Sequence, residues 1–346
     1  MAALLDLLAE QGRFPIALSA PQNFSKIYIS SVWGWPPAGL LPGCPIRCEV
    51  TTDEAEWRSA DVVVWNPLWM TGNLQRMRAS PSTKPAKQRW VFTYDFEAPI
   101  SEPRDFMQVL GSGIDWTAGF QSGNEWFKPR IQLLPRFSAP LQTEAEDNVA
   151  GGKDKLLLWY VSNCGQARMQ LFQSLASHLP ADKVTMFGNC KGGQKDACRS
   201  RFNVSCTQEV MRRFKFYAAF ENNLCDGYIS EKFERCYEYG MVPIAHGGLS
   251  RADYERLVPG SSFIHVDDFK DHKALADYLI KLDGDDVSYN RYFDWRKHFE
   301  VFNWTRNSEM VTCQLCMEVR KPLHEQKPYR PNWNNAFFGK CRKAYR

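Results

Sequence analysis

Short apolar runs with no polar face constrain this chain more than any other feature. Val62-Val63-Val64-Trp65, Leu156-Leu157-Leu158-Trp159-Tyr160-Val161 and Phe216-Tyr217-Ala218-Ala219-Phe220 are the clearest cases. A strand apolar on both sides must be covered on both sides, so it belongs in a parallel sheet flanked by helices. Other β-rich runs are Lys26–Ser30, Ile46–Val50, Arg89–Tyr94, Trp116–Phe120, Val184–Phe187, Met241–Ala245 and Ser262–Val266. Between them lie amphipathic stretches that predict helices over Arg168–Leu179, Ser230–Tyr239 and His272–Leu282. Strands alternating with helices of this length predict βαβ units.

The pattern pauses at Thr143–Asp154, which has almost nothing to bury and contains Gly151-Gly152. This reads as an exposed interdomain connection. A length of 346 residues suits roughly two domains. The expected fold class is therefore α/β, with two Rossmann-like domains facing across a cleft. Residues 1–150 form the first domain, 151–320 the second, and 321–346 a tail expected to pack back on the first. Ligands of such folds sit at the carboxyl ends of the strands.

Hydrophobic residues at 44% and charged residues at 24% exclude disordered and coiled-coil classes. The net charge of +4 does not call for a nucleic-acid partner. Eight Lys/Arg against two Glu in residues 318–346 leave the preceding 317 at −2, so any polyanion argument rests on the tail. No stretch approaches the ~18 apolar residues of a membrane span. Met1–Glu10 lacks the basic and apolar regions of a signal peptide. The chain is then either cytosolic or a soluble portion lacking its targeting segment. Eleven cysteines and three sequons, at Asn23, Asn203 and Asn303, favour the secretory pathway. An odd cysteine count leaves at least one thiol unpaired or intermolecular.

The most informative segment runs from Phe216 to Phe233: a buried strand, a polar turn and a helix start. Asp226 or Ser230 can cap the helix, and Glu231 and Lys232 stand in its first turn. A helix N-terminus suits an anion such as a diphosphate. Lys232 adds a full charge, and Glu231 can accept from a ribose diol. Glu221, Asn222 and Asn223 supply polar groups at the strand end. The same residues would also make an ordinary well-capped surface helix.

Here the sequence resembles the α1,3-fucosyltransferase family. That family's Phe-x-x-x-Phe-Glu-Asn strand, Asp-Tyr-Ile-Thr-Glu-Lys helix start and Gly-x-Val-Pro strand read here as Phe216–Asn222, Asp226–Lys232 and Gly240–Pro243. Gly227 is inserted and Ser230 replaces Thr. Trp159–Cys164 with Arg168, Phe187-Gly188, Ala60–Val63, Asp115-Trp116-Thr117 and Cys313-x-x-Cys316 extend the resemblance over roughly residues 45–317. It implies a B-type glycosyltransferase fold that uses GDP-fucose as donor and inverts at the anomeric carbon.

The resemblance also implies residue roles. Glu97, in Phe96-Glu97-Ala98-Pro99, matches the general base, with Ala98 where the family has Ser. From spacing alone, Asp95 and Glu102 are rivals, and a solvated loop acid is the plain alternative. Arg168 and Lys232 match the diphosphate ligands, Glu231 the ribose ligand and Tyr228 a neighbouring donor contact. Asn222 is expected to shape the pocket. An arginine fork can hold two phosphate oxygens. The charged run behind Trp116-Thr117 is absent and Phe120 lacks the family's hydroxyl, so acceptor preference does not carry over.

No metal or other cofactor is expected. His265-x-Asp267-Asp268 reads as a capped turn. Cys313 and Cys316 have no second pair at zinc-ribbon spacing. They are expected to be disulfide-bonded, to each other or back to Cys44 and Cys48. His246 reads as a structural residue, with a base or a donor-pocket contact as the alternatives. Trp33-Gly34-Trp35 and Trp65–Trp69 are core residues or sugar-stacking surfaces.

The function expected is transfer of fucose from GDP-fucose to a hydroxyl, the 3-OH of GlcNAc, on a glycan or glycoprotein acceptor. Protein O-fucosylation at Ser/Thr and an inactive glycan-binding role are the alternatives. The family's habit implies the Golgi lumen, with membrane attachment only through an N-terminal anchor outside this sequence.

Overall fold

The structure, a computed structural model, describes residues 24–30, 34–66, 84–93, 113–121, 123–136, 148–195, 198, 204–225, 227–327 and the backbone of 341–342. The chain divides into two compact units. Residues 1–129 join 304–339 in the first, and residues 130–303 join 340–346 in the second.

The first unit holds a sheet of β1 (Phe24–Ile29), β2 (Gly39–Leu40), β3 (Arg47–Thr51), β4 (Val62–Trp65), β5 (Arg89–Thr93), β6 (Trp116–Gly119) and β7 (Trp126–Phe127), in the order β2-β3-β1-β4-β5-β6-β7. All neighbours are parallel except the edge pair β2–β3. Alternate side chains of each strand serve opposite faces. Ile27, Ile29, Val62, Val64, Val91, Trp116 and Ala118 form one core. On β4 and β5, Trp65 and Trp90 pack edge to face at 5.4 Å between ring centroids. Trp65, one of the candidate sugar-stacking rings, is thus a core residue.

The first unit covers its core with a helix from the far end of the chain, Trp304–Glu318. Val311, Leu315 and Cys316 of that helix join the sheet residues. Two disulfides fasten it, Cys44–Cys313 and Cys48–Cys316. The buried Ser25 hydroxyl donates to the Cys316 carbonyl at 2.9 Å. At the helix start, the Lys128 ammonium lies 4.8 Å from the Trp35 ring and 5.4 Å from the Trp304 ring, and donates to the Gly34 carbonyl at 3.0 Å. Trp35 is therefore occupied internally, while Trp33 and Trp69 lie outside the described residues. The expected tail divides between the units: residues up to 339 join this one and 340–346 the other. Arg320 pairs with Asp61 at 2.5 Å, and Trp116 Nε1 donates to the Lys327 carbonyl at 3.0 Å.

The second unit holds β9 (Lys155–Tyr160), β10 (Val184–Phe187), β11 (Phe214–Phe220), β13 (Val242–His246) and β14 (Ile264–His265), all parallel, in the order β10-β9-β11-β13-β14. Its longer helices are α1 (Gln166–Ala176), α2 (Val204–Arg212), α3 (Glu231–Tyr239) and α4 (His272–Asp283). Period-two alternation sends Leu157, Trp159, Phe216, Ala218 and Phe220 to one core with Phe172, Leu175, Leu275 and Leu279. Leu158, Tyr217 and Ala219 go to the other, with Met211, Phe233 and Tyr237. Both faces are covered, as runs without a polar face require. Two short antiparallel pairs, β8 (Gln132–Pro135) with β15 (Phe299–Phe302) and β12 (Leu224–Cys225) with β16 (Cys341–Arg342), add to this unit.

The division differs from the expected break at 150. It falls at 129/130, and the described end of the Thr143–Asp154 stretch packs on the second unit, where Ala150 is buried in its core. Composition registered the polar loop but not this packing.

Candidate active site

Strand order locates the site. In the second unit the chain leaves β9, crosses to β10 on one side, then returns to β11 on the other. The reversal opens a crevice at the carboxyl ends of β9 and β11, where ligands of doubly wound sheets bind. Arg168 spans this point. It stands in the first turn of α1, and its guanidinium donates to the Phe220 carbonyl at 3.2 Å, to Asn222 Oδ1 and to the Asn163 carbonyl. Two sides of the switch point are thus joined by one buried cation, which also lies 5.6 Å from the Trp159 ring.

The loops here are built tightly. A disulfide joins Cys164, after β9, to Cys190, after β10. Gly188 takes φ +126°, and a Cβ there would fall 1.8 Å from the Val161 carbonyl oxygen. Gly248 follows β13, and a Cβ on it would meet the Cys225 amide nitrogen at 2.3 Å.

The other wall is the start of α3. Ser230 caps it, its hydroxyl accepting from the Lys232 amide. Glu221, at the end of β11, is fully buried and accepts from the Ser230 amide at 2.8 Å, the Ser230 hydroxyl at 2.7 Å and the Lys232 ammonium at 2.9 Å. Burial opposes the charge on Lys232, but Glu221 and Glu231 outweigh it and raise its pKa. Glu231 keeps about a third of its side chain exposed, at 36%. Desolvation works against its ionisation. Lys232, Arg130 and Arg235 overcome this and hold its carboxyl at about 2. Glu231 is therefore an anion at any physiological pH, presented to solvent as an acceptor. Tyr228 is buried beside the turn, its amide donating to the Cys225 carbonyl at 3.2 Å.

Consecutive residues at the carboxyl end of β11 thus carry the arrangement: Phe220 and Asn222 hold Arg168, and Glu221 holds the first turn of α3. Glu97, Asn23 and Asn203 lie outside the described residues. Asn303 is half-buried immediately before the closing helix of the first unit. His246 ends β13 with its carbonyl accepting from the Glu221 amide at 2.8 Å. Burial lowers its pKa from 6.5. His265 is part of a capped turn, Nδ1 accepting from the Asp267 amide at 3.2 Å. Among the described residues, no group of three His, Cys, Asp or Glu is placed to hold a metal ion.

Two features escaped the sequence. Arg130 approaches Glu231 and Glu234, each at 3.9 Å, but Lys128-Pro129-Arg130 carries no pattern that marks it. The Cys164–Cys190 bridge was open to inference, since both cysteines follow strands expected to be neighbours.

Comparison with known proteins gives this geometry its context. The family model "Glycosyltransferase family 10 (fucosyltransferase) C-term" matches residues 150–332. A human relative, 4-galactosyl-N-acetylglucosaminide 3-alpha-L-fucosyltransferase FUT5, is 32% identical over 313 residues, covering 85% of this chain and 76% of the relative. The chain belongs to glycosyltransferase family 10, the fucosyltransferases. Another relative of this fucosyltransferase is the chimpanzee 3-galactosyl-N-acetylglucosaminide 4-alpha-L-fucosyltransferase FUT3, 32% identical over 312 residues, 85% of this chain and 77% of that one. The fold is shared with an α1,3-fucosyltransferase solved with GDP-fucose, at TM-score 0.53 and 16% identity over 91% of this chain and 95% of that one. The fucosyltransferase accordingly has the B-type glycosyltransferase fold, and the matched region contains the whole switch-point arrangement.

Proposed function

We propose that the chain transfers L-fucose from GDP-fucose to the 3-OH of a GlcNAc residue on a glycan, with inversion at the anomeric carbon. The observation that carries this reading is the pairing, at one switch point, of a strand-bridging arginine with a solvent-presented, permanently ionised Glu231. A nucleoside diphosphate offers the complement of both, an anionic diphosphate and a ribose diol. Arg168 and the N-terminal end of α3 take the diphosphate, Glu231 the diol, and Tyr228 the neighbouring donor contact. Asn222 orients Arg168 through the hydrogen bond it accepts. Lys232 places its charge at the same end of the sheet.

In the reaction, the Glu97 carboxylate accepts the proton of the acceptor hydroxyl. The oxygen attacks C1 of fucose on the face opposite the diphosphate. The C1–O bond breaks, its electron pair leaves with GDP, and the positive groups stabilise the charge that develops there. The names of the relatives support an N-acetylglucosaminide acceptor; the 3-OH follows the one named a 3-alpha-L-fucosyltransferase, and the 4-OH would follow the one named a 4-alpha-L-fucosyltransferase. No metal is assigned a part. The disulfides support an oxidising compartment, and the proposed location is the Golgi lumen. Among the described residues no helix is long and apolar enough to cross a membrane.

Glu97→Gln tests the base. GDP-fucose affinity should stay within about threefold of wild type, while transfer to a GlcNAc-terminated glycan falls by about 100-fold or more. Unchanged turnover would remove Glu97 from the mechanism.

A further inference from the structure

Eight of the eleven cysteines form the disulfides Cys44–Cys313, Cys48–Cys316, Cys164–Cys190 and Cys198–Cys206. Cys236 is a free thiol buried in α3. Cys225 and Cys341 are the two left. Cys225 is fully buried and disulfide-bonded. The backbone register points to its partner: β12 and β16 run antiparallel with Cys225 directly opposite Cys341. Opposed residues of an antiparallel pair have Cα atoms about 4.5–5.5 Å apart, and a disulfide spans Cα separations of about 4.4–6.8 Å. The two cysteines can therefore be joined without moving either strand.

Cys225 stands at a sensitive point. It lies between Glu221 and Tyr228, in the segment that links β11 to α3. Its carbonyl accepts from the Tyr228 amide at 3.2 Å. On its other side Gly248 packs so closely that a Cβ there would lie 2.3 Å from the Cys225 amide nitrogen. Whatever fixes Cys225 thus fixes the backbone that carries Tyr228 and leads on to Glu231.

We propose that Cys225 and Cys341 form a cross-strand disulfide that makes the C-terminal segment a positioning element of the donor site. Its part in donor binding rests on the donor-site reading above. In forming the bond, two S–H groups give up two protons and two electrons to a disulfide oxidant, which is reduced to two thiols. The Cys341–Arg342 strand then stays on the loop unless a covalent bond is broken, and the loop is held ready before the nucleotide arrives.

The test uses the full chain. Proteolysis without reduction, followed by mass spectrometry, should give the Cys225 and Cys341 peptides joined, and reduction should separate them. Either cysteine joined elsewhere, or both open to alkylation in the denatured, unreduced chain, overturns the proposal. The functional part is read in Cys341→Ser, Cys225→Ser and the two combined, by calorimetry of GDP-fucose and by steady-state transfer. Each single change should weaken GDP-fucose about fivefold and raise its KM, while kcat stays within about twofold. The combined variant should be no weaker than either alone, because both changes remove one bond. Undiminished affinity in Cys341→Ser, or losses that multiply in the combined variant, overturns the proposal. Should Cys225→Ser fail to fold, Cys341→Ser decides by itself. Amide hydrogen exchange at residues 228–230 without donor separates this from the donor reading. A wild type that binds no GDP-fucose defeats that reading. The hold on the loop still stands if the joined peptide is found and exchange is faster in Cys341→Ser, and falls if exchange is the same in both.

Discussion

The two units cover a parallel sheet by opposite means. The second flanks β9, β11 and β13 with helices drawn from the chain between the strands, so each face closes with local βα units. The first buries the face carrying Ile27, Val62 and Val91 beneath a helix from nearly the other end of the chain. Cys44–Cys313 and Cys48–Cys316 close loops of 269 and 268 residues to hold it. The unit with the candidate donor site thus covers its sheet with neighbouring segments and short-range disulfides, Cys164–Cys190 and Cys198–Cys206, with one short strand from residues 341–342 at its edge, whereas the other is covered by a distant helix held by two long-range disulfides.

The largest expected effect strikes that difference directly. Replacing Cys44, Cys48, Cys313 and Cys316 by alanine should cost the first unit roughly 5 kcal/mol, mostly from releasing a long closed loop. Hydrogen exchange in β1 and the Trp304–Glu318 helix should accelerate by orders of magnitude, while β9 and β11 stay protected. Equal acceleration in both units would show that they do not hold separate cores.

A smaller and opposite effect comes from Gly188→Ala. The new Cβ, at φ +126°, runs into the Val161 carbonyl and should cost about 3 kcal/mol, confined to the second unit. Thermal unfolding read by exchange in each unit checks the confinement. Loss of protection in β1 would erase the proposed independence.

The difference between units also governs what the sequence disclosed. The five strands of the second unit's parallel sheet and three of its helices were visible as apolar runs and amphipathic stretches, because each element contacts its chain neighbours, whereas the short antiparallel pair Gln132–Pro135 with Phe299–Phe302 was not. The donor-side motif was legible for the same reason: Glu221, Ser230, Glu231 and Lys232 lie within twelve residues. The closing helix was missed. Its stretch Trp304-Thr305-Arg306-Asn307-Ser308 reads as polar, yet Asn307 and Ser308 are buried, with the Ser308 hydroxyl donating to the Gly34 carbonyl at 2.5 Å. That partner lies 274 residues away, where no local pattern reaches. The same limit left the cysteine pairing open.

The smallest effect sharpens the electrostatics of the second unit. Burial raises the Glu234 carboxyl from 4.5 to about 6, against the pull of Arg130. A raised acid contributes stability that is fully present below 4.5 and lost as pH rises through about 6. Glu234→Gln should therefore flatten the fall in stability between those values, by at most about 2 kcal/mol. Denaturant midpoints at pH 4.5 and 7 measure this, and an unchanged slope would mean that Glu234 titrates as an exposed side chain.

The central claim, that the β9–β11 switch point binds GDP-fucose through Glu231, meets its most direct test in a calorimetric titration of GDP-fucose into the full chain and its Glu231→Gln variant. The account predicts saturable one-to-one binding by the wild type and affinity at least tenfold weaker in the variant. Equal affinity in the two chains, or no binding by either, would contradict it.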